Sequence, residues 1–363
     1  MSVPEQVSLR HEWERLEREA EGSPFVSWPW VGCWLECLPA AIVPRLVVIR
    51  DDNRTRGMGL VVPRLLWRLG VFPVRCLWWQ ETGRPDLDRL TVERAGLLLG
   101  EVEAHEAWGA ALKGLLQGGD DWDELHVRWV PLTQVQAMRE AAGRLGLKTC
   151  VWAQQPNYRM KLGGVEGGLE SYLQTLSRNT RYQVRRSIRL YRELGDLTVH
   201  PAHDESTAVE YFEALVSLHE RHWRRRGREG AFGGHFMYEF HRRYVRAAWA
   251  RGDVQLLRIS AGSRCIGYLY NMVYRGVVSN YQCGFCYPED PRFKPGLVSH
   301  ALAIAHNAAL GMQVYDFLLG DARYKRTLAN DCEEQFWVVF QKPRWWLQVV
   351  DRLQARLHLI KGR

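Results

Sequence analysis

Two distant stretches of this 363-residue chain read as one piece of structure written twice. Residues 46–61, LVVIRDDNRTRGMGLV, align without gaps on residues 254–269, VQLLRISAGSRCIGYL. Arg50 falls on Arg258, Arg56 on Arg264 and Gly59 on Gly267, and the apolar positions track one another. Each copy has the pattern strand, polar turn, strand, which is a hairpin with Asp-Asp-Asn or Ala-Gly-Ser at its tip. Each is preceded by a Trp-bearing helical stretch and a short Phe loop, Pro24-Phe25 or Ala231-Phe232-Gly233. Each is followed by a helix and a further strand: Ala104–Gln117 and Trp122–Trp129 in the first half, Leu297–Leu310 and Val314–Leu319 in the second. Similar hairpins also arise without duplication, but the shared element order favours a duplicated α/β unit.

Length alone is consistent with two domains of ordinary size. A hydrophobic fraction of 46% and a charged fraction of 25% exclude a disordered or fibrous chain. The excess of 49 Lys+Arg over 41 Asp+Glu gives +8 and favours anionic partners. The charged N-terminal stretch has no apolar core of a signal peptide, and no run of 18 apolar residues occurs, so the expected location is cytoplasmic. Eight cysteines are too sparse for a disulfide scaffold. Cys283 and Cys286 form a single CxxC, read here as packed thiols, and His219-Glu220-Arg221-His222 lacks the i,i+4 spacing of a zinc helix, so no metal is expected.

The expected division places a first unit at 1–155, a second at 156–342 and an appended amphipathic helix at 343–363. Leu145–Ala153 reads as the last strand of the first unit and Tyr158–Leu162 as the first of the second. One long helix is expected from about Leu169 to Leu194, stopped by Gly195.

Four stretches could carry chemistry. Arg292-Phe293-Lys294-Pro295-Gly296-Leu297 opens an Ala-rich helix after a strand, and the free N–H groups of such a helix start, with a neighbouring Lys, favour a phosphate. The plain alternative is a helix-initiating turn. The corresponding point of the first copy, Gly100-Glu101-Val102-Glu103, carries carboxylates that repel a phosphate, so only the second copy suits one. Second, Asp321, Tyr324 and Lys325 follow the strand Val314–Leu319, where carboxylate, phenol and ammonium suit proton transfer or oxyanion stabilisation. A solvated turn with a surface ion pair is the alternative. Third, Arg178, Arg181, Arg185, Arg189 and Arg192 line one helix face and call for an anionic neighbour. Fourth, Trp345-Trp346 and the Arg-rich terminal segment fit either packing on the domain or a membrane surface, with packing preferred.

Taken together, the Trp28/Trp30/Trp34 helix, Ser177–Gly195, Trp223 in HERHWRRRG, Lys294-Pro295-Gly296 and YDFLLGDARYK resemble the CelD-like acyltransferases associated with cellulose and exopolysaccharide biosynthesis. That group is similar to the FemAB/FemX transferases, which contain two GNAT-like units in tandem. The resemblance covers most of the chain and implies a mixed α/β fold of two GNAT-like units in a FemX-like arrangement, the first degenerate. It implies an acyltransferase using acyl-CoA and no metal, with Lys294, Pro295, Gly296 and Leu297 holding the diphosphate. The splayed strand at Tyr281, Cys283 and Gly284 would offer backbone N–H groups to the acyl carbonyl. Lys325 would stabilise the tetrahedral intermediate, Tyr324 would assist the leaving group, and Asp321 is the candidate base. Arg178, Arg181, Arg185, Arg189 and Trp223 would shape the acceptor site. The intact GNAT fingerprint is absent, and Leu328 stands where an aromatic often follows Tyr-Lys. The acceptor would be an amine or hydroxyl on a sugar-, lipid- or peptide-like molecule, with contact to a membrane surface at its inner face or to a polysaccharide synthase. Two alternatives stand beside it: a FemX-like enzyme using aminoacyl-tRNA, and a non-catalytic scaffold of a polysaccharide-synthase complex.

Overall fold

Both copies of the repeat fold as antiparallel hairpins in the computed structural model, which describes residues 6–350 apart from positions 53, 91, 120 and 166. The chain divides into two compact units, one of residues up to Gln154 together with those from Glu334 onward, the other of Gln155–Glu333.

The first unit contains α1 (Gln6–Glu19), α2 (Trp28–Cys37), β1 (Arg45–Asp51), β2 (Arg54–Arg68), β3 (Phe72–Trp79), β4 (Leu98–Leu99), α3 (Ala104–Gln117), β5 (Glu124–Pro131), α4 (Leu132–Arg144) and the start of β6 (Lys148–Lys161). The hairpin β1–β2 continues antiparallel into β3, and β3 pairs parallel with β5 over Cys76–Trp78 and Glu124–His126. A parallel neighbour requires a crossover, which α3 supplies. Alternation along β5 sends Leu125 and Val127 to the helical face, where they meet Trp108, Leu112, Val135 and Met138, and turns Glu124 and His126 to the other.

The second unit repeats this succession. It contains the rest of β6, α5 (Gly168–Thr175), α6 (Arg178–Arg192), β7 (Leu197–Pro201), α7 (Glu205–Arg224), α8 (His235–Trp249), β8 (Val254–Ala261), β9 (Arg264–Tyr274), β10 (Val277–Phe285), α9 (Pro295–Ala309), β11 (Val314–Leu319), α10 (Arg323–Leu328) and the first residues of β12 (Asp331–Gln341). Its strands are ordered β6-β11-β10-β9-β8-β7, with β10 and β11 the parallel pair and α9 the crossover. Val298, Ala301 and Ile304 of α9 bury against Leu257, Leu269, Val278 and Phe317, together with Val184 and Ile188 of α6. Each of these Val, Leu, Ile and Phe side chains contributes about 1.5–3 kcal/mol by leaving water.

Three expectations are corrected. The helix expected over 169–194 is two helices: Leu176 is extended at φ −79°, ψ 152°, and Ser177 caps α6 by accepting from the Thr180 N–H. Such a cap is worth about 1 kcal/mol. The two strands expected on either side of Gln154-Gln155-Pro156 are one strand, β6, in which Pro156 interrupts no helix and ends nothing. Residues 334–341, expected with the second unit, pair antiparallel with β5 from Gln335↔Pro131 to Gln341↔Glu124 and bury Val338 and Phe340 in the first unit's core. Of the expected terminal helix, residues 345–350 are helical and Leu347 packs on Val74, Cys76 and Trp78, whereas Trp345 is exposed. The remainder, 351–363, lies outside the described residues.

Candidate functional site

In the second unit the parallel pairing of β10 with β11 lasts only from Val277↔Val314 to Ser279↔Asp316. A bulge against β9 then falls at Tyr281, between the pairs Asn280↔Asn271 and Gln282↔Tyr270. An extra residue bends and twists its strand, and beyond it Gln282–Phe285 have no ladder to β11. A cleft of about 560 Å³ opens there, lined by this strand end, α7, the loop before α9, the first residues of α9, and Tyr324.

The walls are built by close contacts. Gly284 lets α7 lie directly on β10, since a Cβ there would stand 2.5 Å from the Leu215 carbonyl oxygen. On α7, His219 donates from Nδ1 to the Cys283 carbonyl at 3.0 Å and accepts at Nε2 from the Ala231 N–H at 3.1 Å. These two bonds fix a neutral tautomer, in keeping with a pKa that burial lowers. His222 stacks on Tyr287, ring centres 4.4 Å apart, and Trp223 completes that wall.

The opposite side is the N-terminus of α9. Pro295 opens the helix, so the first N–H groups behind it have no intrahelical partner. The Lys294 N–H donates to Ser187 Oγ of α6 at 2.8 Å, and Phe293 sets its ring edge-on to Tyr191 at 4.8 Å. The helix start is thereby anchored to a second helix. Gly296 lies close to Phe285, whose ring would be 3.2 Å from an added Cβ. Positive charge from Lys294 and the helix dipole meet at this point.

Beneath lies an aromatic layer. Tyr324 stacks on His300 at 5.3 Å and 14°, and its phenol is held protonated by burial. His300 pairs through Nδ1 with Tyr315 Oη at 3.1 Å. Cys283 also lines the cleft, its thiol pushed up to about 12 by burial against a smaller opposing effect of Lys325.

The structure sorts the sequence-predicted residues clearly. Cys283, Gly284, Lys294, Pro295, Gly296, Leu297, Trp223 and Tyr324 come together in the cleft. Tyr281 does not line it: as the bulge residue it packs on His241 and Tyr270. Lys325 lies beside it and donates from Nζ to the carbonyls of Leu318, at 3.1 Å, and Leu319. Those carbonyls are turned toward it by the left-handed Leu318 (φ +59°), which Asp316 Oδ1 holds by accepting from the Leu318 N–H at 2.8 Å. Asp321 is outside the cleft lining and half exposed, paired with Arg326 and accepting from Tyr158 Oη at 3.0 Å; the Arg326 guanidinium holds its carboxyl below the usual range. That is the ion-paired surface turn, not a base's setting.

The arginines form a site of their own. Arg178, Arg181, Arg185, Arg189 and Arg192 line a groove of about 490 Å³ with Tyr182, Ile188 and Glu170, none of which lines the first cleft. Glu170 pairs with Arg185 at 2.6 Å, which supplies part of the counter-charge that the stripe calls for, and Gln174, a neutral acceptor, takes a hydrogen bond from Arg181 at 2.6 Å.

Tyr287 and His300 were missed, and His219 and His222 were weighed only as a zinc helix. The signal for His300 was its place in the apolar run of α9, which it shares with His306, while the others depend on tertiary contacts. In the first unit, Cys76, Glu124 and His126 bring metal-ligand atoms within 4.8 Å of one another. Those atoms are engaged already: Glu124 accepts from Arg68, His126 and Gln341, and Trp337 donates to His126 Nδ1 at 3.2 Å. No helix among the described residues is long and apolar enough to cross a membrane.

Residues 178–326 match the family described as Acetyltransferase (GNAT) domain. Among solved structures, FemX is similar in fold at a TM-score of 0.61 and 12% identity, covering 91% of this chain and 95% of that one. L-PGS from Bacillus licheniformis follows at 0.55 and 9%, covering 95% and 96%. The C-terminal domain of a putative lysylphosphatidylglycerol synthetase from Agrobacterium fabrum gives 0.54 and 9%, covering 99% and 96%. No curated protein matches the sequence. The fold is therefore the mixed α/β fold of FemX, and residues 178–326 within it are similar to the Acetyltransferase (GNAT) domain.

Proposed function

We propose that the second unit transfers an acyl group from acyl-CoA to an amine or hydroxyl of a sugar-, lipid- or peptide-like acceptor, in polysaccharide or envelope biosynthesis as in CelD-like acyltransferases. The observation that carries this reading is the meeting, in one cleft, of a strand end freed from its parallel neighbour with an anchored helix N-terminus bearing Lys294. The first provides backbone donors for a thioester carbonyl and the second a seat for a diphosphate. Aromatic rings between them, from Phe285, Tyr287 and Phe293, suit the apolar length of the donor's arm.

The chemistry is a displacement at the acyl carbon. The acceptor's lone pair forms the new bond while the carbonyl pair moves to oxygen. Collapse breaks the C–S bond and the thiolate leaves. Tyr324, kept protonated by burial, gives its proton to the leaving sulfur, and the acceptor's surplus proton returns through solvent to the phenol. The arginine groove, with its open guanidinium face, suits an anionic acceptor or an anionic surface.

Calorimetric titration with CoA, acetyl-CoA, longer acyl-CoAs and tRNA tests the assignment. Micromolar binding of CoA esters that is lost in Gly296→Val, where the side chain presses on Phe285 and fills the helix start, is the expected result. Tight, salt-sensitive tRNA binding without CoA binding replaces it with the aminoacyl-tRNA reading. Binding of neither ligand, with undiminished cellular function of Lys325→Ala, replaces it with the scaffold.

A further inference from the structure

The turn between β2 and β3 departs from the polar composition usual at a hairpin tip. In Arg68-Leu69-Gly70-Val71 the Val71 N–H donates to the Arg68 carbonyl at 3.2 Å, with Leu69 at φ +51° and Gly70 at φ +74°. Two positive φ values across such a bond make a type I′ turn, whose first central position favours Asn, Asp or Gly. A leucine held in the left-handed region carries a steric cost that those residues largely avoid. Burial does not offset it: Leu65, Trp67, Leu69 and Val71 are 51, 61, 38 and 65% exposed.

The hairpin carrying this tip runs past the neighbouring strands. The pairing of β1 with β2 ends at Val61, and that of β5 with β3 begins at Cys76. Residues 62–68 and 72–75 therefore form a two-stranded ladder among the described residues. Strand alternation gives its two faces opposite surroundings. Leu66 and Val74 turn inward, where Trp346 and Leu347 of the helical residues 345–350 cover them. Pro63, Leu65, Trp67 and Pro73 turn outward, and Leu69 and Val71 extend that apolar surface over the apex. Arg75, opposite Leu65, is the charged member of the outer face.

Size and charge decide what covers this surface. Its apolar area is on the order of a few hundred Å², well below the roughly 800 Å² that each partner of a stable protein interface buries. A second copy of the chain is thus a poor match. The flank is cationic: Arg75, Lys342 and Arg344 share Asp121 and Asp123 among them. The sequence after residue 350 adds Arg352, Arg356, Lys361 and Arg363 against Asp351. An aliphatic apex, an exposed indole behind it and cations behind that match the layers of a bilayer: hydrocarbon, interface and anionic headgroups. We propose that the β2–β3 hairpin docks the protein on an anionic lipid bilayer, with Leu69 and Val71 entering the acyl region and Trp67 at headgroup level. None of these residues lines the cleft of the second unit, so docking is independent of the donor assigned there.

Vesicle co-sedimentation of the full chain tests the proposal. Vesicles of equal parts phosphatidylglycerol and phosphatidylcholine should bind the wild type about fivefold more tightly than phosphatidylcholine alone, and added salt should narrow the gap. Trp67→Ser and Leu69→Asn should each weaken binding to the mixed vesicles about tenfold, as expected when one apolar side chain no longer leaves water. Leu69→Asn also separates docking from folding. Asparagine suits the left-handed position, so the urea midpoint should hold or rise while vesicle binding falls. Unchanged binding in both variants overturns the inference, as does a wild type that ignores both kinds of vesicle. A wild type that ignores vesicles but forms a dimer in sedimentation velocity, dissolved by Leu69→Asn, replaces the bilayer with a second copy.

Discussion

Cys286 shows how far a residue's sequence neighbours can mislead. The CxxC spacing sets it beside Cys283, but Cys283 turns into the cleft as a buried thiol. The Cys286 N–H instead donates to the Ile266 carbonyl at 2.9 Å, and its thiol meets that of Cys265 on the neighbouring strand. The hydrogen bond from the Cys286 thiol, helped by Tyr268 and Arg258 and opposed by burial, lowers Cys265 to about 6, and Cys286 is raised in return. A lowered thiol pKa means that Cys265 is thiolate above that pH and thiol below it. Iodoacetamide should therefore alkylate Cys265 at neutral pH, with the rate falling by half near pH 6. In Cys286→Ser the midpoint should move; a midpoint near the ordinary thiol value in the wild type would show that the two side chains do not interact. His300 teaches the converse lesson: its residue type and its place in an apolar helix were visible, but its burial with an unpartnered Nε2 was not.

Among elements, the helix start at Pro295 was the most legible, because Lys-Pro-Gly after a strand and before an Ala-rich run allows little else. The hairpins were equally legible from alternation and turn residues. The break between α5 and α6 was not. The apolar period runs through it, and only the local bond from the Thr180 N–H to Ser177 Oγ interrupts the helix. Contact between elements also explains Gly284, which the sequence marks only as part of a splayed strand. Gly284→Ala should force α7 away from β10 and cost about 1–3 kcal/mol, read as a lower urea midpoint, and it should weaken CoA binding because His219, His222 and Trp223 ride on that helix. An unchanged midpoint would mean that α7 yields without cost.

For the whole molecule, the consequence of the duplication is that β12 serves the first unit although it follows the second in sequence. Phe340, fully buried near Trp108 with ring centres 6.5 Å apart, should accordingly matter to residues far upstream of it. Phe340→Ala should cost about 3–5 kcal/mol, and hydrogen exchange should quicken in α3 and β5. Exchange confined to β12 itself would contradict that placement. The sequence by itself determined two α/β units, because alternation, turn residues and helix signals are local and recur in the same order. It also placed the phosphate-compatible helix start in the second unit, because Lys-Pro-Gly stands where the first copy carries Glu101 and Glu103. Tertiary structure alone decided where β12 pairs, that Asp321 faces Arg326 outside the cleft, that Cys286 meets Cys265, and that His300 is held with a free Nε2. Those outcomes depend on which groups a folded sheet brings within about 3 Å of each other, and hydrogen bonds of that reach carry no trace in the spacing of residues along a chain.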